Sequence, residues 1–184
     1  MLMIIFSYLI GSISIAYIIG NIYSIDLTKA GTRNPGATNV YKVIGPGWGL
    51  LTGMIDLLKG VIPTYLAKEV FHYNWLMVIC VAFGAIIGHN WPLLNKFNGG
   101  RGLATSMGTV GVINLQNGII AFILGSILTL LLRVKTKRDI RISYLVYPLF
   151  TALTFYYQYN YYILIYGLGL VVITGLRAWQ LIDR

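Results

Sequence analysis

Two stretches of this 184-residue chain carry residue types that can handle an anion. Residues 30–42 read AGTRNPGATNVYK and residues 88–105 read GHNWPLLNKFNGGRGLAT; both mix Gly, Asn and Thr with Lys or Arg. In the first, Asn34-Pro35-Gly36 is a turn signal. Thr38 and Asn39 then stand where a following helix could be capped. Glycines let backbone N–H groups converge on an anion, and a helix N-terminus adds a favourable partial charge. Lys42 lies one turn further on, within reach of the same anion. In the second stretch, Gly99-Gly100-Arg101-Gly102 leads straight into a helical pattern. An arginine flanked by glycines can present its planar guanidinium to a phosphate bidentately. The bland alternatives are a polar loop with a topology-setting lysine and a flexible glycine turn at a helix start.

Three further residues carry charge or a proton. His89 suits a general base or a phosphate donor, or a structural hydrogen-bonder that ties the loop down, the role favoured here. Asp56 and Lys59 stand three apart in an apolar stretch, so on a helix they share a face and can pair. Ionised groups at membrane depth are costly and mark a functional site or a polar interior; a buried structural pair is the other reading. His72 is the only other histidine and Cys80 the only cysteine, so neither a His- or Cys-based metal site nor a disulfide is expected. Cys80 reads as a small buried hydrophobe.

The elements that must position these residues are membrane helices. Of the residues, 57% are hydrophobic and 10% charged, too little polar surface for a soluble domain of this length. Apolar segments recur at 2–22, 47–67, 74–93, 102–115, 117–132, 142–157 and 161–177, most of them near the roughly 20 residues a spanning helix needs. The fourth is short and opens after the glycine run, as a broken or tilted helix would. The first lacks a basic leader and reads as a retained span. With the N-terminus outside, every one of the 14 basic residues except Lys59 and Lys68 falls inside, as the positive-inside rule requires. Tyr156, Tyr157, Tyr159, Tyr161, Tyr162 and Trp75 then mark the outer interface, and Trp48, Trp91 and Trp179 the inner one. The net charge of +9 is explained by these loops without nucleic acid. The expected fold is an all-α integral membrane protein, one domain over 1–184, with about seven transmembrane helices and a cytoplasmic C-terminus.

The segments GSISIAYIIG, GTRNPGATNVYK, DLLKG and GHNWPLLNKFNGGRGLAT resemble, in order and spacing, the bacterial acyl-phosphate:glycerol-3-phosphate acyltransferases, the PlsY family. The resemblance covers roughly residues 10–110 in motif and the whole chain in length. It implies seven spans in the cell membrane, with the active site open to the cytoplasm. It implies transfer of a fatty acyl group from acyl-phosphate to the sn-1 hydroxyl of glycerol 3-phosphate, giving lysophosphatidic acid and phosphate, with no metal or organic cofactor. It assigns phosphate binding to the two loops: Thr32, Asn34, Gly36, Thr38, Asn39 and Lys42 in the first, Gly99, Gly100, Arg101, Gly102 and Thr105 in the second. An acyl-phosphate is already an activated mixed anhydride, so no covalent protein nucleophile is needed. Positioning and charge neutralisation supply much of the rate, and a substrate phosphate can itself take the hydroxyl proton.

The chain departs from the family's usual pattern in three places. Thr32 and Arg33 stand where Ser and Gly are usual, Arg33 adding bulk where close backbone approach is expected. Lys42 and NGGRG stand where Arg and KGGKG are usual. The terminal TGLRAWQLIDR lacks the family's His and Asn, which points to weaker holding of glycerol 3-phosphate. The alternative reading is a non-catalytic or acceptor-altered paralogue that binds acyl-phosphate or phospholipid and acts as a regulatory or scaffold protein. A small anion transporter ranks last, because paired broken helices in two matching halves are missing.

Overall fold

The computed structural model describes residues 1–136, 152 and 161–180. Helices there are α1 (Leu2–Ser12), α2 (Ile15–Ile22), α3 (Ala37–Val43), α4 (Pro46–Tyr65), α5 (Trp75–Asn90), α6 (Leu103–Ile113), α7 (Leu115–Thr136) and α8 (Tyr161–Gln180). Among the described residues there is no strand. The described residues divide into two compact units, 1–109 and those from 110 on.

Among the described residues, four stretches are long and apolar enough to cross a membrane: Leu2–Ile22, Pro46–Val70, Trp75–Asn95 and Tyr161–Gln180. They match four predicted segments. The predicted 102–115 and 117–132 correspond to the shorter α6 and to part of α7. The predicted 142–157, the basic residues Lys137, Arg138 and Arg141, and the tyrosines at 156, 157 and 159 lie outside the described residues.

α4 shows why lipid, not water, is the solvent for unit 1. Its buried face carries Thr52, Asp56, Lys59, Gly60, Pro63 and Thr64, while Leu50, Leu51, Met54, Leu58, Ile62 and Tyr65 are exposed. Both sets recur at helical spacing, with polar groups inside and apolar groups outside. That inverts the arrangement of a helix on a water-soluble core. Gly45 caps α4 and Pro46 opens it, where a missing N–H costs nothing. Pro63 removes a hydrogen bond near the far end, and the helix relaxes into a π-turn over Leu66–Val70.

The first predicted span is broken. Ile13 and Ser14 adopt extended backbone between α1 and α2. Just before the break, the Ser12 hydroxyl donates to the Tyr8 carbonyl, a back-bond that bends helices. α1 packs on α5 through small residues: a Cβ on Gly11 would strike the Ala85 carbonyl, and one on Gly88 the Tyr8 carbonyl. Such close approach is how membrane helices gain packing energy without a hydrophobic driving force. α2 joins α3 through a small core of Ala16, Ile19, Leu27 and Val40. In unit 2, α8 buries Tyr166, Leu170, Thr174 and Arg177.

Candidate active site

The site is built where the middle of α4, the end of α5 and the start of α6 meet the loop before α3, all within unit 1. Asp56 and Lys59 are one turn apart on α4 and pair as the sequence predicts, Lys59 Nζ lying 2.6 Å from Asp56 Oδ1 with both side chains about 95% buried. His89, at the end of α5, joins them: its Nδ1 is 3.5 Å from the same Oδ1. α6 rides directly on α4, because a side chain at Gly60 would strike the Thr105 carbonyl and one at Gly108 the Leu57 carbonyl. The Thr105 hydroxyl donates to the Asp56 carbonyl at 2.8 Å. Thr105, predicted as a phosphate ligand, therefore uses its proton to tie two helices together.

The glycine-rich loop folds back on the end of α5. Gly99 N–H donates to the Asn90 carbonyl and Gly100 N–H to the His89 carbonyl, each at 3.2 Å. Pro92, two residues past the end of α5, forces the departure. A Cβ on Gly100 would overlap His89 Nε2 and come within 3.2 Å of the Pro35 carbonyl. Gly100 is thus the place where the two predicted loops touch. Gly102 takes φ +73°, which glycine adopts readily, and its carbonyl accepts from Ser106 in the first turn of α6.

The first loop is organised by Asn39. Its Oδ1 accepts from Thr32 N–H at 2.7 Å, and its Nδ2 donates to the carbonyls of Leu27 at 2.8 Å and Ala30 at 3.0 Å. Asn39 is fully buried, so its amide shapes the loop instead of facing a ligand. The capping expectation is corrected as well. Gly36 is the N-cap of α3, without a side-chain cap, and Thr38 and Asn39 lie inside the first turn. Asn34, Pro35 and Gly36 are buried at the junction, while Thr32, Thr38 and Lys42 are exposed. Arg33 takes φ +56° and is exposed. That left-handed backbone is one that glycine adopts readily. Further upstream, the Thr28 hydroxyl and N–H both donate to Asp26 Oδ1 and hold that carboxyl below its ordinary range.

Sequence reasoning missed three features. Asn90 is fully buried, and neither its Oδ1 nor its Nδ2 has a hydrogen-bond partner; Asn34 Oδ1 is in the same state. Each such atom costs about 1–3 kcal/mol, which a native structure tolerates where function calls for it. Tyr17 on α2 donates its hydroxyl to the Asn98 carbonyl, beside the glycine run. A cleft of about 860 Å³ opens there, lined by Tyr17, Asn21, Asp26, Thr28, Lys96 and Asn98 among others. None of the predicted phosphate ligands lines it. Third, Arg177, predicted as an inner loop charge, is buried in α8 with its Nη1 donating to Gln180 Oε1 at 3.2 Å.

Taken together, unit 1 places two buried carboxamides, Asn34 and Asn90, and one imidazole around the junction of the two loops, backed by a neutralised ion pair. That arrangement can orient a phosphate and a hydroxyl but offers no activated nucleophile. The whole chain, residues 1–184, matches the family model described as glycerol-3-phosphate acyltransferase. A glycerol-3-phosphate acyltransferase of Rubrobacter xylanophilus is 38% identical over 108 residues, 59% of this chain and 54% of that relative, so the chain spans about half of that relative's length. Glycerol-3-phosphate acyltransferase 4 of Dehalococcoides mccartyi is 34% identical over 178 residues, covering 96% of this chain and 93% of that one. Among solved structures, the chain is similar to PlsY (YgiH), an integral membrane glycerol 3-phosphate acyltransferase in its glycerol 3-phosphate form. The TM-score is 0.86 at 26% identity, covering 100% of this chain and 90% of that one. The multi-pass helical architecture and the motif-bearing loops have one common explanation: this chain belongs to the glycerol-3-phosphate acyltransferase family.

Proposed function

We propose that this protein transfers a fatty acyl group from acyl-phosphate to the sn-1 hydroxyl of glycerol 3-phosphate, giving lysophosphatidic acid and inorganic phosphate. The observation that carries the reading is the meeting of the two loops at Gly100, with His89 beneath and Pro35 opposite. The hydroxyl oxygen attacks the acyl carbonyl, a C–O ester bond forms, and the bond from the acyl carbon to the bridging phosphate oxygen breaks. The hydroxyl proton ends on the released phosphate. No covalent intermediate with the protein is needed, because the donor is already activated. In this reading Asn34 and the turn at 101–102, shaped by Gly99 and Gly100, orient the phosphate, and Lys42 and Arg101 neutralise its charge. Thr32, Thr38, Gly36 and Thr105 complete the loops that hold these groups, and His89 is held for the site by Asp56 and Lys59. We find no support for the non-catalytic alternative.

The proposal extends to topology. The protein works as one membrane domain in the cell membrane, with seven spans, its N-terminus outside and its active site and C-terminus in the cytoplasm. In a Cys80→Ala background, a Lys137→Cys variant labelled from outside intact cells refutes that orientation.

The deciding experiment is acyl transfer by purified protein with acyl-phosphate and glycerol 3-phosphate, followed by mass spectrometry of the lipid product. Lysophosphatidic acid is expected; none formed, with the donor intact, refutes the function. The terminal stretch TGLRAWQLIDR adds a quantitative expectation. Two lost hydrogen bonds to a charged acceptor, at about 1.5–3 kcal/mol each, lower acceptor efficiency by roughly two to four powers of ten against a relative that keeps His and Asn. Comparable efficiency shows that those groups do not matter here.

A further inference from the structure

The buried cluster on α4 and α5 holds one histidine whose two ring nitrogens face different surroundings. Nδ1 faces the Asp56 carboxylate at 3.5 Å, and the Nε2 edge lies against Gly100 of the glycine-rich loop. Asp56 is itself closed by Lys59 at 2.6 Å, and its backbone carbonyl is held by Thr105. The carboxylate therefore cannot swing away from the ring without breaking a buried ion pair. A nitrogen lone pair aimed at a carboxylate oxygen is repelled, so the proton must sit on Nδ1. The ion pair already cancels its own charge, so a neutral imidazole completes the cluster with no net buried charge. Free in water, a neutral imidazole prefers its proton on Nε2. The cluster reverses that preference, in the way a carboxylate partner sets the tautomer of a metal-bound histidine.

We propose that the Lys59–Asp56 pair is a tautomer-setting latch: it locks His89 with its proton on Nδ1, flattens the ring against Gly100 and so holds the glycine-rich loop. His89 takes part twice, because its carbonyl also accepts from Gly100 N–H. Asp56 and Lys59 act only through His89 and are positioning residues. His89 carries them across from α4 to the loop that α6 begins on.

The latch has a spectroscopic signature that needs no turnover. The chain has two histidines, and a His72→Gln variant leaves one, so ¹⁵N imidazole spectra of histidine-labelled protein in detergent assign His89 directly. The intact protein should show a protonated Nδ1 and an unprotonated Nε2. In Asp56→Leu/Lys59→Met, where apolar groups of similar size replace the pair, the proton should move to Nε2. Amide hydrogen exchange of 99–102 should then quicken at least tenfold while α8 exchanges as before. His89 of the intact protein protonated on Nε2 overturns the proposal, whether or not the variant folds. So does a folded variant with parental exchange at 99–102. One consequence rests on the proposed function: if the loop binds the donor phosphate, the variant's KM for acyl-phosphate rises at least tenfold with kcat within threefold. A parent that shows both physical signatures and transfers no acyl group refutes the proposed function and leaves the latch standing.

Discussion

Replacing Gly100 with alanine tests the junction of the two loops with a single carbon atom. The new Cβ would come within 3.2 Å of both the Pro35 carbonyl and His89 Cε1, and would overlap His89 Nε2. Gly100 is not among the glycines with left-handed φ, so backbone strain does not enter and the effect is steric. Neither neighbour can give. Pro35 is buried backbone, and the His89 ring is held at Nδ1 by Asp56 while its backbone carbonyl accepts from Gly100 N–H. The loop must move by about 1 Å to restore ordinary contact, and overpacking of this kind costs about 1–3 kcal/mol. A misplacement of about 1 Å in a positioning element lowers rate by roughly 10²-fold. The expected result is a lower thermal midpoint in detergent, together with a kcat/KM for acyl-phosphate reduced by about two orders of magnitude. Gly47→Ala is the control. Nothing lies within 4 Å of its Cβ, it sits in α4, and helix propensity favours alanine by about 0.5–1 kcal/mol. A Gly100→Ala protein with the parental midpoint and a kcat/KM within threefold of the parent refutes the reasoning.

Lys59→Met leaves the Asp56 carboxylate buried without its cation and should destabilise by about 3–5 kcal/mol. Adding Asp56→Leu should recover most of that, and equal thermal midpoints for Lys59→Met and the parent would show that the pair is not sealed as described. Asn39→Ala removes three hydrogen bonds from one buried amide, about 0.5–1.5 kcal/mol each, and should release the 27–32 backbone to fast hydrogen exchange; unchanged protection there argues against its organising role. Thr28→Ala should raise the titration midpoint of Asp26, followed by carboxyl ¹³C shift, because it removes the hydroxyl bond that lowers it most while keeping the N–H. The sign follows from linkage: with the folded value depressed, Asp26 contributes stability above its unfolded pKa and loses it as pH falls through the folded one. Near neutral pH that contribution is therefore fully present and does not vary with pH, and an unmoved midpoint in the variant contradicts the hydrogen-bond account.

Local spacing carried part of this structure and distance along the chain hid the rest. Asp56 and Lys59 pair because i and i+3 share a helix face whatever surrounds them. That His89 joins them depends on how α5 crosses α4, and no local pattern encodes a crossing. Four of the apolar segments are legible because lipid rewards length and hydropathy alone. The break at Ile13–Ser14 was not, since Gly11-Ser12 bends a helix only when the serine turns back on its own backbone. Asn39 illustrates the limit of motif reading. Asparagine near a helix start suggests a cap, but here Gly36 holds that place and the amide reaches back seven to twelve residues. At Arg33 the family's glycine has a backbone cause, a left-handed φ, that composition cannot reveal. Arg177 read as an inner charge and Asn90 carried no expectation, and both are buried; burial of a polar side chain is a property of the packed helices, not of the sequence around it.

The hydrogen bonds of the first membrane segment bear on how the protein is made. Ser7 donates to the Val81 carbonyl, Tyr8 to the Trp91 carbonyl and Tyr17 to the Asn98 carbonyl, partners 74, 83 and 81 residues downstream. At roughly 5–20 residues per second of synthesis, this segment waits in the bilayer for several seconds before its partners emerge. Until then its hydroxyls have only their own helix to turn to, as Ser12 does with Tyr8, and Gly11 leaves a notch filled by lipid in place of Ala85. A nascent chain stalled before residue 98 therefore displays an unfinished polar face within the membrane, the kind of surface by which a chaperone or protease distinguishes an incomplete product from a finished one.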